Sequence, residues 1–425
     1  MKPSKPAELD RRLGTSDAVV IGLGSMLGAG VFATWGPAAR AAGTGLLLGL
    51  ALAAVVAYCN AVASAQLAAS YPVSGGTYVY GRERLGAWWG FVAGWAFIIG
   101  KTASCAAMAL TFASYAVAGP SWLQRVVAVA AVIALAALNY RGVTRTALVT
   151  RLLLAGALAA LILLVLATLT SGAAHTGRLD DWWSGGHDWY GVLQAAGLLF
   201  FAFAGYARIA TLGEEVREPR TTIPRAIPLA LLIAVVVYAV VGVSILLVAG
   251  PDLLAASTSP LVTAAVAAGR PAIEPVVRVG ASLASLGALL ALMAGIGRTS
   301  LAMARERDLP RWLGAVHPRF RVPHHAEVLL AVVVCVLVLV TDLRGALGFS
   351  SFGVLIYYAI ANVAAFTQPA ADRRWPRGLN VLGAAGCLTL AIALPLGSVI
   401  AGALLLALGV LGRVMVHKAL PRRTA

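Results

Sequence analysis

Apolar runs of about 20 residues without a charge recur along the whole of this 425-residue chain, and each is long enough to cross a bilayer as a helix. Twelve such spans are read, at 17–41, 44–70, 87–116, 122–140, 147–170, 189–212, 226–249, 276–298, 326–341, 345–367, 378–394 and 396–416. A water-soluble core has no use for so many. Only 12% of the residues are charged, about half the share of an ordinary soluble domain. The fold class is therefore all-α integral membrane.

The formal charge of +16 raises the question of a nucleic-acid partner. Of the 33 lysines and arginines, 25 fall in tails, loops and span ends on one side, and six fall on the other: Arg40, Arg125, Arg178, Arg270, Arg278 and Arg344. Lys101 and Arg208 lie within spans. This is the asymmetry that keeps basic loops in the cytoplasm, and it places a multi-pass protein in the plasma membrane with both termini inside. No basic face is left to grip phosphates, so nucleic acid is excluded.

The chain divides into a cytoplasmic tail (1–16), a first repeat of five helices (17–170), a second of five (189–367), two further helices (378–416) and a second tail (417–425). The loops between them are too short for a soluble domain, so these parts form one transport domain. All four cysteines sit inside apolar runs, and the six histidines sit in expected loops or near the C-terminus. Neither set has metal-ligand spacing, so no cofactor or metal is expected.

Two spans differ from the rest. The first reads IGLGSMLGAGVF, with Gly22, Gly24, Gly28 and Gly30 at mid-membrane depth. The sixth reads LLFFAFAGYARIATLGEE, with Gly205 and then Arg208 in its middle. Glycine-interrupted apolar helices at matching positions of two halves point to a transporter site. Five spans separate their starts, an odd number, so the second half starts from the opposite face and an inverted repeat follows. Close helix packing through small residues is the other reading of each glycine run.

At these residues the chain resembles the amino acid/polyamine/organocation (APC) superfamily of permeases. LGAGVF is similar to the family's first-helix break, and FFAFAGY with EEVREPRTTIPRAI to its sixth helix and following loop. PVSGGTYVYGRERLG resembles the loop between the second and third helices, and GRTSLAMARERDLPRWLGAVHP the end of the eighth. The resemblance implies a LeuT-like fold of five plus five inverted helices followed by two C-terminal ones.

A helix broken at mid-membrane exposes backbone groups that lipid cannot satisfy, so the break must line a cavity. The N–H groups opening the second half of the first span, near 30–32, suit a carboxylate. Carbonyls near 25–28 and 203–205 suit an ammonium. The substrate-binding candidates are thus Ser25, Gly28, Ala29, Gly30, Phe201, Ala202, Phe203, Ala204 and Gly205. Glycine at 28 and 30 is expected to let a ligand approach the backbone. Phe201 and Phe203 either wall the side-chain pocket or pack in the core.

Lys101 lies near the centre of the third span, where an ionisable group is costly unless it faces a polar cavity. It either changes protonation state during transport or stays a fixed cation. Relatives often carry Glu at about the preceding position, here Gly100, and many proton-coupled ones place a Lys in the fifth helix, which this chain lacks. Arg208 is either a gate paired with Glu214 or Glu215, or a partner of backbone carbonyls or water. The seventeen acids avoid every span interior, which tilts the substrate towards neutral or acidic molecules.

These features imply a secondary active transporter of amino acids working by alternating access, by proton-coupled symport or by exchange. Its partners are then the amino acid, protons and the lipid bilayer. A permease or exchanger of polyamines or organic amines is the alternative within the same fold. A channel or receptor would need a continuous polar stripe or a ligand domain. An enzyme would need a nucleophile and base at depth, so no enzymatic activity is expected.

Overall fold

The computed structural model describes residues 13–73, 75–142, 147–179 and 188–419. In chain order the helices are α1 (Thr15–Met26), α2 (Gly30–Ala33), α3 (Trp35–Ala42), α4 (Leu46–Ser70), α5 (Thr77–Leu85), α6 (Ala87–Ala116), α7 (Ser121–Tyr140), α8 (Ala147–Leu169) and α9 (Trp189–Phe203). They continue with α10 (Ala207–Ala210), α11 (Pro219–Ala256), α12 (Pro260–Ala267), α13 (Glu274–Arg305), α14 (His324–Val340), α15 (Leu343–Phe366), α16 (Arg377–Ala393) and α17 (Leu396–Ala419). The described residues contain no strand beyond one isolated bridge, between Leu13 and Val216. Nine helical stretches among them are long and apolar enough to cross a membrane, and Trp189–Phe203, His324–Val340 and Arg377–Ala393 are shorter apolar helices. Most of the tails expected at 1–16 and 417–425 lies outside the described residues.

Local chemistry explains where the helices begin. Asp188 and Asp342 cap α9 and α15 by accepting from Gly191 N and Gly345 N, each at 2.8 Å, which satisfies a donor that the first helical turn leaves free. Helices α7, α14 and α16 each follow a proline. Exposed Trp88, Trp89, Trp122 and Trp189 sit in the first turns of α6, α7 and α9, as expected of side chains that prefer the membrane–water boundary.

Three boundaries move. The seventh span was expected at 226–249, yet α11 begins at Pro219 and runs to Ala256, with Gly250 non-helical at φ 70°. The prolines of PRTTIPRAIP look like loop, but Pro219 stands in the first turn, where a missing N–H costs nothing. The eighth span continues past Arg298 to Arg305, because SLAMAR is a good helix former whether or not it is apolar. His324 and His325, expected in a loop, open α14.

The core is built around the broken spans. Helix α11 packs against α1, and α4 and α15 pack against α9; most alanines along α4, α11 and α15 are buried. Leu13 N donates to Glu215 O (3.1 Å) and Arg217 N to Leu13 O (2.9 Å). The start of the first span therefore lies at the same face as the end of the sixth, and the two spans run in opposite directions.

Candidate substrate site at two crossed helix breaks

The first span is helical to Met26, bends through 27–29 and resumes at Gly30. The sixth is helical to Phe203, turns through 204–206 and resumes at Ala207. The breaks lie against each other. A Cβ on Gly30 would stand 2.6 Å from Ala202 Cα, and one on Gly205 would stand 2.4 Å from the carbonyl carbon and oxygen of Ser25.

This changes the reading of the glycines. The open position on Gly30 faces Ala202, and that on Gly28 faces Ala288 Cβ at 2.7 Å. In this structure both glycines serve the crossing of helices, where a ligand's approach had been expected. The sequence shows that a Cβ is missing but not which way it would have pointed.

The freed backbone groups fall into two sets. Among the described residues, the N–H groups of Gly28, Ala29, Gly30 and Val31 have no acceptor. They sit where the second half of the span presents its positive end. The carbonyls are occupied by side chains. The Tyr238 hydroxyl, from α11, lies 2.7 Å from Met26 O and 2.9 Å from Ala202 O. It has one proton to share between two acceptors, so one hydroxyl spans both breaks. Ala204 O accepts from Lys101 Nζ and from the Tyr358 hydroxyl, both at 3.4 Å.

Lys101 is thus aimed at the break of the sixth span. It is only 8% exposed and forms no ion pair among the described residues. Gly100, beside it, packs against α15: a Cβ there would lie 3.0 Å from Gly353 Cα and 3.1 Å from Ser350 O. A side chain at that position would need the backbone of α15 to give way.

Of the remaining candidates, Ser25 is half-buried and its hydroxyl donates back to Ile21 O (3.0 Å). Phe203 is fully buried, edge-on to Tyr238 with ring centroids 5.0 Å apart, the core-packing alternative. Phe201 is 7% exposed. Arg208 is exposed on α10; its guanidinium bonds the Thr211 hydroxyl (3.4 Å), with Arg298 and Glu215 close enough to act on it electrostatically. The described ion pairs do not join Arg208 to Glu215, and Glu214 has a partner of its own.

The sequence reading missed Tyr238, Tyr358 and Tyr115. The last donates to Phe32 O (2.9 Å) and accepts from Leu261 N (3.3 Å), tying the resumed first span to α12. A buried tyrosine needs a partner for its hydroxyl, so tyrosines in otherwise apolar runs were the available signal.

The sequence matches the family described as amino acid permease over residues 13–412. It is 60% identical over 407 residues to an uncharacterized transporter of Mycobacterium tuberculosis, covering 95% of this chain and 91% of that one. It is 28% identical over 347 residues to the branched-chain amino acid permease of Bacillus subtilis, covering 75% and 72%. It is 27% identical over 385 residues to cationic amino acid transporter 7, chloroplastic, of Arabidopsis thaliana, covering 85% and 66%.

Proposed function

The chain belongs to the amino acid permease family, and on that premise we propose that it carries neutral α-amino acids through the plasma membrane by alternating access at the two crossed breaks. The observation that carries this reading is the pairing of free N–H groups on one side of the crossing with carbonyls capped by side-chain donors on the other. An α-amino acid presents a carboxylate and an ammonium a short distance apart. Its carboxylate takes the N–H groups of residues 28–31, and its ammonium takes the carbonyls of Met26, Ala202 and Ala204. Tyr238 and Lys101 then hold those carbonyls in the empty state and give way to the substrate.

The two broken spans are the first members of inverted five-helix repeats, 17–170 and 189–367, and both termini are cytoplasmic. The antiparallel course of the broken spans supports this arrangement. Arg208, Glu214 and Glu215 lie where the inner end of the sixth span must move, and they act there as a gate. No acid is available at the crossing to pair with a cationic side chain, and the apolar wall of Phe201, Ala202 and Ala29 favours a neutral one. A thermal-shift screen of the purified protein against the amino acids tests the reading. Stabilisation by a neutral α-amino acid, but not by its α-amide, is expected; stabilisation only by compounds lacking the carboxylate contradicts it.

Lys101 couples protons to this cycle if its ammonium is needed at one stage and its amine at another. Lys101→Ala is then expected to retain substrate binding and to lose the pH dependence of uptake. Lys101→Arg, which cannot deprotonate in this range, should lower uptake about tenfold or more. A wild-type pH profile in Lys101→Ala proteoliposomes would remove Lys101 from coupling.

A further inference from the structure

A polar cavity with no lining residue from the crossed breaks lies at the end of α4. It measures about 490 Å³ and is lined by Ser70 and Tyr71 at the end of α4, Arg220 in the first turn of α11, and Asp372 and Arg374 in the connection from α15 to α16. Among the described residues, the side chains of Arg220, Asp372 and Arg374 form no ion pair or hydrogen bond, with one another or with anything else. Two guanidiniums and one carboxylate thus face one cavity and remain apart.

The wall around them is ordered by buried groups. Gln368, 1% exposed, donates to Ser70 Oγ (2.9 Å), and Ser70 Oγ donates to Gln66 O (3.2 Å). Gln66, equally buried, accepts from Arg374 N (3.4 Å). The Oε1 atom of Gln368 and Nε of Arg373 are buried without a partner.

We propose that this cavity binds the headgroup of a phospholipid that carries both a phosphate and an ammonium. Guanidiniums match the oxygens of a phosphate in a planar fork, and Arg220 and Arg374 supply two. A phosphate alone would leave Asp372 as a repelling charge, whereas an ammonium on the same headgroup gives that carboxylate its partner. The three elements end at one face of the fold, the one at which the sequence gathers its basic loops. Helix α4 packs against both α11 and α16. The three expose Val55 and Tyr58, Leu229 and Leu232, and Val381 and Leu382, apolar side chains that acyl chains can cover. Apolar surface on the same helices whose ends line the cavity favours a lipid over a free phosphate as the source of the headgroup.

The test uses the full-length protein, stripped of lipid in detergent, and follows its melting temperature. The probes are dioleoylphosphatidylethanolamine, dioleoylphosphatidylglycerol, soluble glycerophosphoethanolamine and inorganic phosphate. The ethanolamine lipid is expected to half-saturate at a concentration about tenfold below that of the glycerol lipid, with the two soluble probes inactive there. Arg220→Gln/Arg374→Gln should weaken the response to the ethanolamine lipid about tenfold, and Asp372→Asn should make the two lipids equivalent. Variants are compared only when they melt as wild type does without lipid. An undiminished response in the double arginine variant overturns the site. Equal stabilisation by a soluble probe overturns the lipid and assigns the cavity to a free phosphate compound. A lipid preference unchanged in Asp372→Asn overturns the ammonium contact.

Discussion

Gly205→Ala is expected to cost about 1–3 kcal/mol of stability and to abolish transport in whatever protein still folds. The added Cβ would lie 2.4 Å from the carbonyl carbon and oxygen of Ser25 and 2.6 Å from Met26 N. These are backbone atoms on the rim of the facing break, so no rotamer change relieves the clash. The two breaks must separate, and the N–H and carbonyl groups proposed to bind substrate separate with them. Gly295→Ala provides the control, because a Cβ there meets nothing within 4 Å. In the interior of α13 it should be neutral or stabilise by up to about 1 kcal/mol. Melting curves and uptake of the two variants, measured side by side, check the contrast. Wild-type uptake by Gly205→Ala would show that the crossing is not close in the working protein.

Asp308→Ala is expected to have the largest effect on stability, about 3–5 kcal/mol. The Asp308 carboxylate is 2% exposed and accepts from the Tyr78 hydroxyl (2.8 Å), Arg82 (3.2 Å) and Arg413 (2.8 Å). Arg413 is 5% exposed and lies 4.7 Å from the ring centroids of both Trp88 and Phe91. It also donates to Ala87 O (2.7 Å). The carboxylate thereby joins α5, the end of α13 and α17. Burial and the neighbouring carboxylate push the Tyr78 hydroxyl above its ordinary pKa, so it stays a donor. Removing the acid takes the buried counter-charge from Arg413, which keeps its bond to Ala87 O, and takes the acceptor from the Tyr78 hydroxyl. Arg413→Met should cost less, because Asp308 keeps Tyr78 and Arg82. Urea or thermal melts of both variants check the order; a larger loss in Arg413→Met would contradict it.

Sequence and structure divide along the range of the physics involved. The spans were legible because each is a contiguous apolar run, and the breaks because glycine and a charge interrupt such runs locally. Boundaries failed where a helix continues past a charge into an end that is no longer uniformly apolar, as in SLAMAR after Arg298. The Asp308 cluster was illegible because its members lie 226 residues apart in the case of Arg82, with no local pattern to join them. The hydroxyl of Tyr238 reaches Met26 across 212 residues for the same reason. The glycines were found but their use was not, since a helical position shows its facing neighbour only once the helices are packed.

The central claim is that an amino acid binds at the crossing of the two breaks and is carried from there. Counterflow tests it most directly: proteoliposomes are loaded with a neutral amino acid that stabilises the protein, and a trace of the labelled compound is added outside. Transient accumulation of label is expected with the wild-type protein, and none with Gly205→Ala or with liposomes lacking protein. If folded wild-type protein gives no counterflow with any amino acid, or Gly205→Ala gives as much as wild type, the account is contradicted.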